Sequence, residues 1–129
     1  MPPPSKLVVV VDDDPDVRKV VAAYLSDVGV ELAFFAEGKS AIAAMGVRPP
    51  DLVCLDLLLP DVSGFSISEQ MKKNATLANV PILMMSARGS VADRAHAEEL
   101  GVTQFLQKPF RRAPFQKLIR ALLELPSVP

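Results

Sequence analysis

The chain has 129 residues, half of them hydrophobic, which is enough for one domain with a full core and too apolar for disorder. Its 14 Lys and Arg balance 15 Asp and Glu, so no net field points to nucleic acid or an anionic membrane. One cysteine excludes an internal disulfide, no apolar run approaches the roughly 20 residues of a membrane span, and no signal-peptide pattern is present, so a cytoplasmic location is expected.

Met1 to Ser5 contains three consecutive prolines, which cannot donate to a ladder, so residues 1–5 are expected to form a loose arm. Leu7 to Val11 is a continuous β-branched run, the mark of a strand buried on both faces. Asp14-Pro15 reads as a helix cap with proline at the first helical position. Val17, Val20, Val21, Tyr24, Leu25 and Val28 then form one apolar stripe, with Gly29 as the expected C-cap.

The pattern repeats along the chain. Val30 to Phe35 predicts a second strand, and Lys39 to Met45 a short helix stopped by Gly46. Pro49-Pro50 precedes a third strand at Leu52 to Leu55, and Gly64 opens a helix to about Lys73. Val80 to Met85 predicts a fourth strand, and Val91 to Leu100 a helix stopped by Gly101. Val102 to Leu106 is the fifth strand, and the last helix spans about Arg111 to Leu123. Five βα units in sequence predict an α/β fold, a parallel sheet covered by helices on both sides.

Polar residues fall just past the strands' C-terminal ends, where open α/β sheets bind their ligands. Asp12 and Asp13 follow the first strand, and by themselves read equally well as solvated loop residues beside the cap. Asp56 follows Leu52, Val53, Cys54 and Leu55 and precedes three leucines, so it is partly desolvated and needs a partner. Carboxylates brought together there repel unless a hard cation neutralises them, and oxygen-only ligands suit Mg²⁺. Lys108 follows the fifth strand, and its bond to Pro109 is a candidate cis peptide. Ser86 ends the fourth strand, and position alone favours a helix-start residue. Phe105 reads as a strand residue near the surface edge, His96 as an exposed helix residue, and Cys54 as core.

Together the motifs resemble the receiver domains of two-component response regulators. They are Val10-Val11-Asp12-Asp13-Asp14-Pro15, the run Asp56-Leu57-Leu58-Leu59-Pro60-Asp61-Val62-Ser63-Gly64, Met85-Ser86-Ala87 and Lys108-Pro109-Phe110. The resemblance covers about Lys6 to Leu123. It implies a doubly wound, flavodoxin-like (CheY-like) three-layer sandwich of five parallel strands and five helices. It makes Asp56 the phosphoacceptor, with Mg²⁺ held by Asp12, Asp13, Asp56 and the backbone carbonyl of Leu58. Ser86 and Lys108 would bind the phosphoryl group, and Ser86 and Phe105 would form the switch. Serine for threonine at 86 and phenylalanine for tyrosine at 105 are mild departures.

The resemblance further implies a phosphoryl donor, either a sensor histidine kinase or a phosphotransfer protein. The output would be a downstream protein or effector domain. That partner would read the face of the helix after Ser86, the strand of Phe105 and the last helix, with Val91, Arg94, Phe105 and Gln107 on it. Direct contact with nucleic acid or membrane is not expected, and a monomer or a dimer through that face both stay open. The chain would take up and lose its own phosphoryl group and would not turn over external substrates. Residues 6–124 would be the receiver and 125–129 a tail, either of a stand-alone domain or of a piece of a larger regulator. Two other readings fit less well. A haloacid dehalogenase-type phosphatase needs a second aspartate where Leu58 stands. A flavin-phosphate module needs a first loop rich in Ser, Thr and Gly. An interaction domain that works without phosphorylation stays open.

Overall fold

The computed structural model describes residues 5–125. Most of the expected arm and tail, residues 1–4 and 126–129, lies outside them. Ten elements alternate along the chain: β1 (Leu7–Val11), α1 (Pro15–Tyr24), β2 (Glu31–Phe35), α2 (Gly38–Val47), β3 (Leu52–Asp56), α3 (Gly64–Lys73), β4 (Ile82–Ser86), α4 (Val91–Glu99), β5 (Gln104–Gln107) and α5 (Arg112–Leu122). The strands form one sheet in the order β2-β1-β3-β4-β5, every neighbouring pair parallel. The winding reverses between β1 and β3, and at such a switch point a doubly wound sheet opens a crevice.

The strand sequences follow from position in the sheet. β1, β3 and β4 are buried at every residue, hence their unbroken apolar runs. Val9, Val11, Val53, Leu55, Ile82 and Met84 face a cluster completed by Ala41 and Met45 of α2, Ile67 and Met71 of α3 and Ala97 of α4. Val8, Val10, Leu52, Cys54, Leu83 and Met85 face the other side, against Val21 and Leu25 and against Phe115 and Ile119 of α5. Each large side chain so buried contributes about 1.5–3 kcal/mol. The edge strands β2 and β5 are only partly buried. Among the described residues no helix is long and apolar enough to cross a membrane.

Several boundaries differ from those predicted, each for a local reason. α1 stops at Tyr24 with Leu25 as its C-cap, so Gly29 is not the cap expected of it; it lies at the end of the turn that follows, with a left-handed φ of 81°. Val28 is buried, but Val20 is 39% exposed and drops out of the inward stripe. α2 runs through Gly46 to Val47, with the Arg48 amide donating to Ala44 O at 2.9 Å. The stop comes from Pro49, which disfavours helical backbone at the residue before it. β4 starts at Ile82, because the Val80 amide closes a turn on Leu77 O at 3.1 Å and Pro81 has no amide proton. β5 starts at Gln104, because the Gly101 and Val102 amides terminate α4 on Glu98 O and Ala97 O, both at 3.0 Å. This is a Schellman closure around the left-handed Gly101.

Candidate functional site

Register assembles the site. Val11 pairs with Leu55, Asp56 with Met85, and Ser86 with Gln107. Asp12, Asp56, Ser86 and Lys108 therefore stand at adjoining strand ends along one rim of the sheet. Backbone bonds continue past the strands, from Asp12 N to Phe35 O at 3.0 Å, Leu57 N to Met85 O at 3.0 Å and Lys108 N to Ser86 O at 2.8 Å. The Lys108-Pro109 bond is cis, as its tight turn predicts.

Asp12 is fully buried, which separates it from the solvated loop residue it resembles in sequence. Its carboxylate is satisfied twice. Oδ1 accepts from Asp14 N at 2.9 Å, and Oδ2 accepts from Lys108 Nζ at 2.7 Å. Asp56 is 7% exposed. Its Oδ1 accepts from Leu58 N at 3.3 Å, and its Oδ2 lies 3.4 Å from Lys108 Nζ. Asp13 is exposed, yet one carboxylate oxygen from each of Asp12, Asp13 and Asp56 lies within 4.8 Å of the others.

The electrostatics follow from this packing. Burial, then the Asp12 charge, push the Asp56 carboxyl up to about 6, against the pull of Lys108 and the Leu58 amide. Burial alone would lower the Lys108 ammonium, but Asp12 and Asp56 outweigh it and hold the amine charged to higher pH. Three carboxylates facing one ammonium form an oxygen-only donor set with net negative charge, which fits a hard divalent cation. Leu58 meets the cluster through its amide.

Ser86 is 1% exposed and belongs to the strand, since α4 starts later under its own cap, Ser90, which accepts from Asp93 N at 3.0 Å. Its Oγ accepts from Arg88 N at 3.0 Å, and the hydroxyl keeps its proton as a donor. Phe105 pairs with Met84 in register, so by strand alternation it shares Ser86's side of the sheet. Its ring is half-buried under the Arg94 guanidinium, whose carbon stands 4.7 Å from the ring centroid. Arg94, Ala97, Val102 and Phe105 line a groove of about 300 Å³ between α4 and β5. Val91 is 86% exposed nearby, and Gln107 is exposed on the edge strand.

Two other candidates stand apart from the cluster. Cys54 is core, its thiol pushed up to about 12 by burial. His96 is exposed, its ring edge-on to Phe65 at 4.5 Å. Sequence reasoning missed the roles of two supporting residues, Arg18 and Asp61, and the close packing of a third, Gly64, which it read only as a helix opener. Arg18 Nη1 donates to Asp12 O at 2.7 Å. Asp61 caps α2 from another loop, accepting from Gly38 N at 2.9 Å and Lys39 N at 2.8 Å, and these bonds hold its carboxyl below the usual range. A Cβ at Gly64 would lie 2.4 Å from the Asp56 carbonyl oxygen, so the α3 start closes on the Asp56 backbone only without a side chain. Only Gly64, a helix opener directly after a serine cap, has a readable local signal.

A doubly wound parallel sheet with an acidic crevice and a facing lysine at its strand ends is an α/β module with a ligand site where such folds place one. The chain belongs to the response regulator receiver domain family, whose model matches residues 8–120. A probable transcriptional regulator, ycf27, from Cyanophora paradoxa is 34% identical over 119 residues, covering 92% of this chain and 48% of that protein. The chain spans about half the length of the curated relatives it matches. The Vibrio cholerae chemotaxis protein CheY4 superposes with a TM-score of 0.87 at 27% identity, covering 93% of this chain and all (100%) of that one. The receiver domain of the Pseudomonas aeruginosa sensor histidine kinase PA1611, described with a magnesium ion coordinated in the active-site cleft, superposes with a TM-score of 0.85 at 25% identity, covering 94% and 99% of the two chains.

Proposed function

We propose that this receiver domain accepts a phosphoryl group on Asp56. The observation that carries the proposal is a nearly buried carboxylate paired with the Lys108 ammonium at 3.4 Å and beside two further aspartates. An oxygen of Asp56 attacks phosphorus, the bond from phosphorus to the donor nitrogen breaks, and the departing imidazole takes a proton from solvent. Little covalent work falls to the protein, so positioning and charge dominate. Asp12, Asp13, Asp56 and the Leu58 carbonyl would hold Mg²⁺, which would supply charge neutralisation during the transfer. Lys108 meets a phosphoryl oxygen as a point charge, and the Ser86 hydroxyl donates to another.

The acyl phosphate is a new dianion. Ser86 moves towards it, the start of α4 follows, and Phe105 enters the space on the same side of the sheet. This is a two-state switch biased by local charge. Residues 6–124 act as the receiver in the cytoplasm. The donor is a histidine kinase or phosphotransfer protein. The output partner, a downstream protein or effector domain, reads the face carrying Val91, Arg94, Phe105 and Gln107.

Borohydride reduction of the phosphorylated chain, followed by peptide mass mapping, tests the acceptor. The proposal requires the reduced residue at position 56. Reduction at Asp12 or Asp13 instead contradicts it.

A further inference from the structure

We infer that Arg18 is a positioning residue for Asp13, acting through the peptide that joins Asp12 to Asp13; this rests on the metal reading above. Arg18 lies half-buried in α1, and its Nη1 donates to the Asp12 carbonyl oxygen at 2.7 Å. Asp12 Oδ1 accepts the Asp14 amide at 2.9 Å. These two bonds fall on either side of Asp13. One holds the peptide before it and the other holds the amide after it. The Asp12 amide is fixed as well, on Phe35 O at 3.0 Å.

Asp13 needs that support. It is exposed, and among the described residues its carboxylate has no hydrogen bond or ion pair of its own. Its aim towards Asp12 and Asp56, within 4.8 Å, therefore comes from its backbone. A charge-assisted bond from a planar guanidinium fixes a carbonyl more firmly than a neutral donor does.

The guanidinium has a second effect of opposite sign. A positive charge beside the cluster repels an incoming cation. Solvent and salt screen that repulsion at a half-exposed site. Outer-shell partners that orient metal ligands, by contrast, change metal affinity by about 10–100-fold. The clamp therefore dominates, and removing Arg18 weakens Mg²⁺ binding although a cation is removed.

The test is a Mg²⁺ titration of the full chain, followed by the ¹⁵N amide shifts of Asp13, Asp14 and Leu58. It compares the unaltered protein with Arg18→Met, which keeps the stem and loses charge and donors, and Arg18→Lys, which keeps the charge and loses the fork. Both variants are expected to raise the Kd by about tenfold and to shift the Asp13 and Asp14 amides before any metal is added. Arg18→Met binding Mg²⁺ as tightly as the unaltered protein, or more tightly, overturns the inference. Arg18→Lys with unaltered affinity overturns it as well, and decides alone should Arg18→Met fail to fold. No response to Mg²⁺ in the unaltered protein overturns the metal reading itself, and the inference with it.

Discussion

Lys108 holds Asp12 more closely than Asp56: its Nζ stands 2.7 Å from Asp12 Oδ2 and 3.4 Å from Asp56 Oδ2. The lysine is thus the counter-charge of a fully buried aspartate before it serves any incoming anion. Lys108→Met leaves that carboxylate without an opposite charge. The expected loss is about 2–3 kcal/mol in metal-free buffer at neutral pH, since breaking a buried pair strands one ion. Urea unfolding measures it. A loss below about 0.5 kcal/mol, the scale of an exposed pair, would show that the contact is only superficial.

The raised Asp56 carboxyl sets a pH dependence with a definite sign. Its ordinary value is 3.8 and its folded value about 6. Between the two the folded state holds a proton that the unfolded chain has released, so stability from this group falls as pH rises through the window. After discounting for solvent, the group's share is about 1–2 kcal/mol. Unfolding of the unaltered protein and Asp56→Asn, each at about pH 5 and about pH 7 without metal, isolates the term. The variant should gain on the unaltered protein as pH rises. An unchanged difference would mean that Asp56 is not desolvated.

Asp13 differs from Asp12 and Asp56 in being exposed. Asp13→Asn removes one of three like charges, so the metal-free protein should gain up to about 1 kcal/mol. The same change removes one of the three proposed metal ligands and should weaken stabilisation by Mg²⁺. Thermal melts in EDTA and in Mg²⁺ report both. A variant that is less stable in EDTA yet equally stabilised by Mg²⁺ contradicts a shared metal site.

The proposed switch has its own signature. Beryllofluoride, a phosphoryl mimic, should move amide shifts around Asp56 and also across residues 87–107, because Ser86 and Phe105 lie on one side of adjacent strands. Shifts confined to the loops of Asp12, Asp56 and Lys108 would mean that no relay reaches Phe105, and that the α4–β5 face is not the output.

Most of the fold is legible in the sequence because three strands buried on both faces write continuous apolar runs, and helices write stripes between them. Boundaries slip where hydrogen bonds decide and apolarity does not. Val102 looks like strand, but its amide closes α4 on Ala97 O. Gly46 looks like a stop, but Pro49 supplies it. At the site, Asp56 stands out because a lone carboxylate among leucines needs a partner. Asp12 and Asp13 are adjacent and alike in sequence, yet one is buried and the other exposed. Only the path of the chain past Val11 separates them. Arg18 and Asp61 are invisible for a related reason: each acts on backbone atoms brought near by folding, and residue type alone does not record that.

Intact-mass measurement after incubation with acetyl phosphate, with Mg²⁺ and with EDTA, tests phosphoryl acceptance at Asp56 most directly. The expected result is a single phosphate adduct that forms with Mg²⁺, fails to form in EDTA and is absent from Asp56→Asn. An adduct that persists in Asp56→Asn, or that forms equally well in EDTA, contradicts the assignment of the acceptor and of its metal.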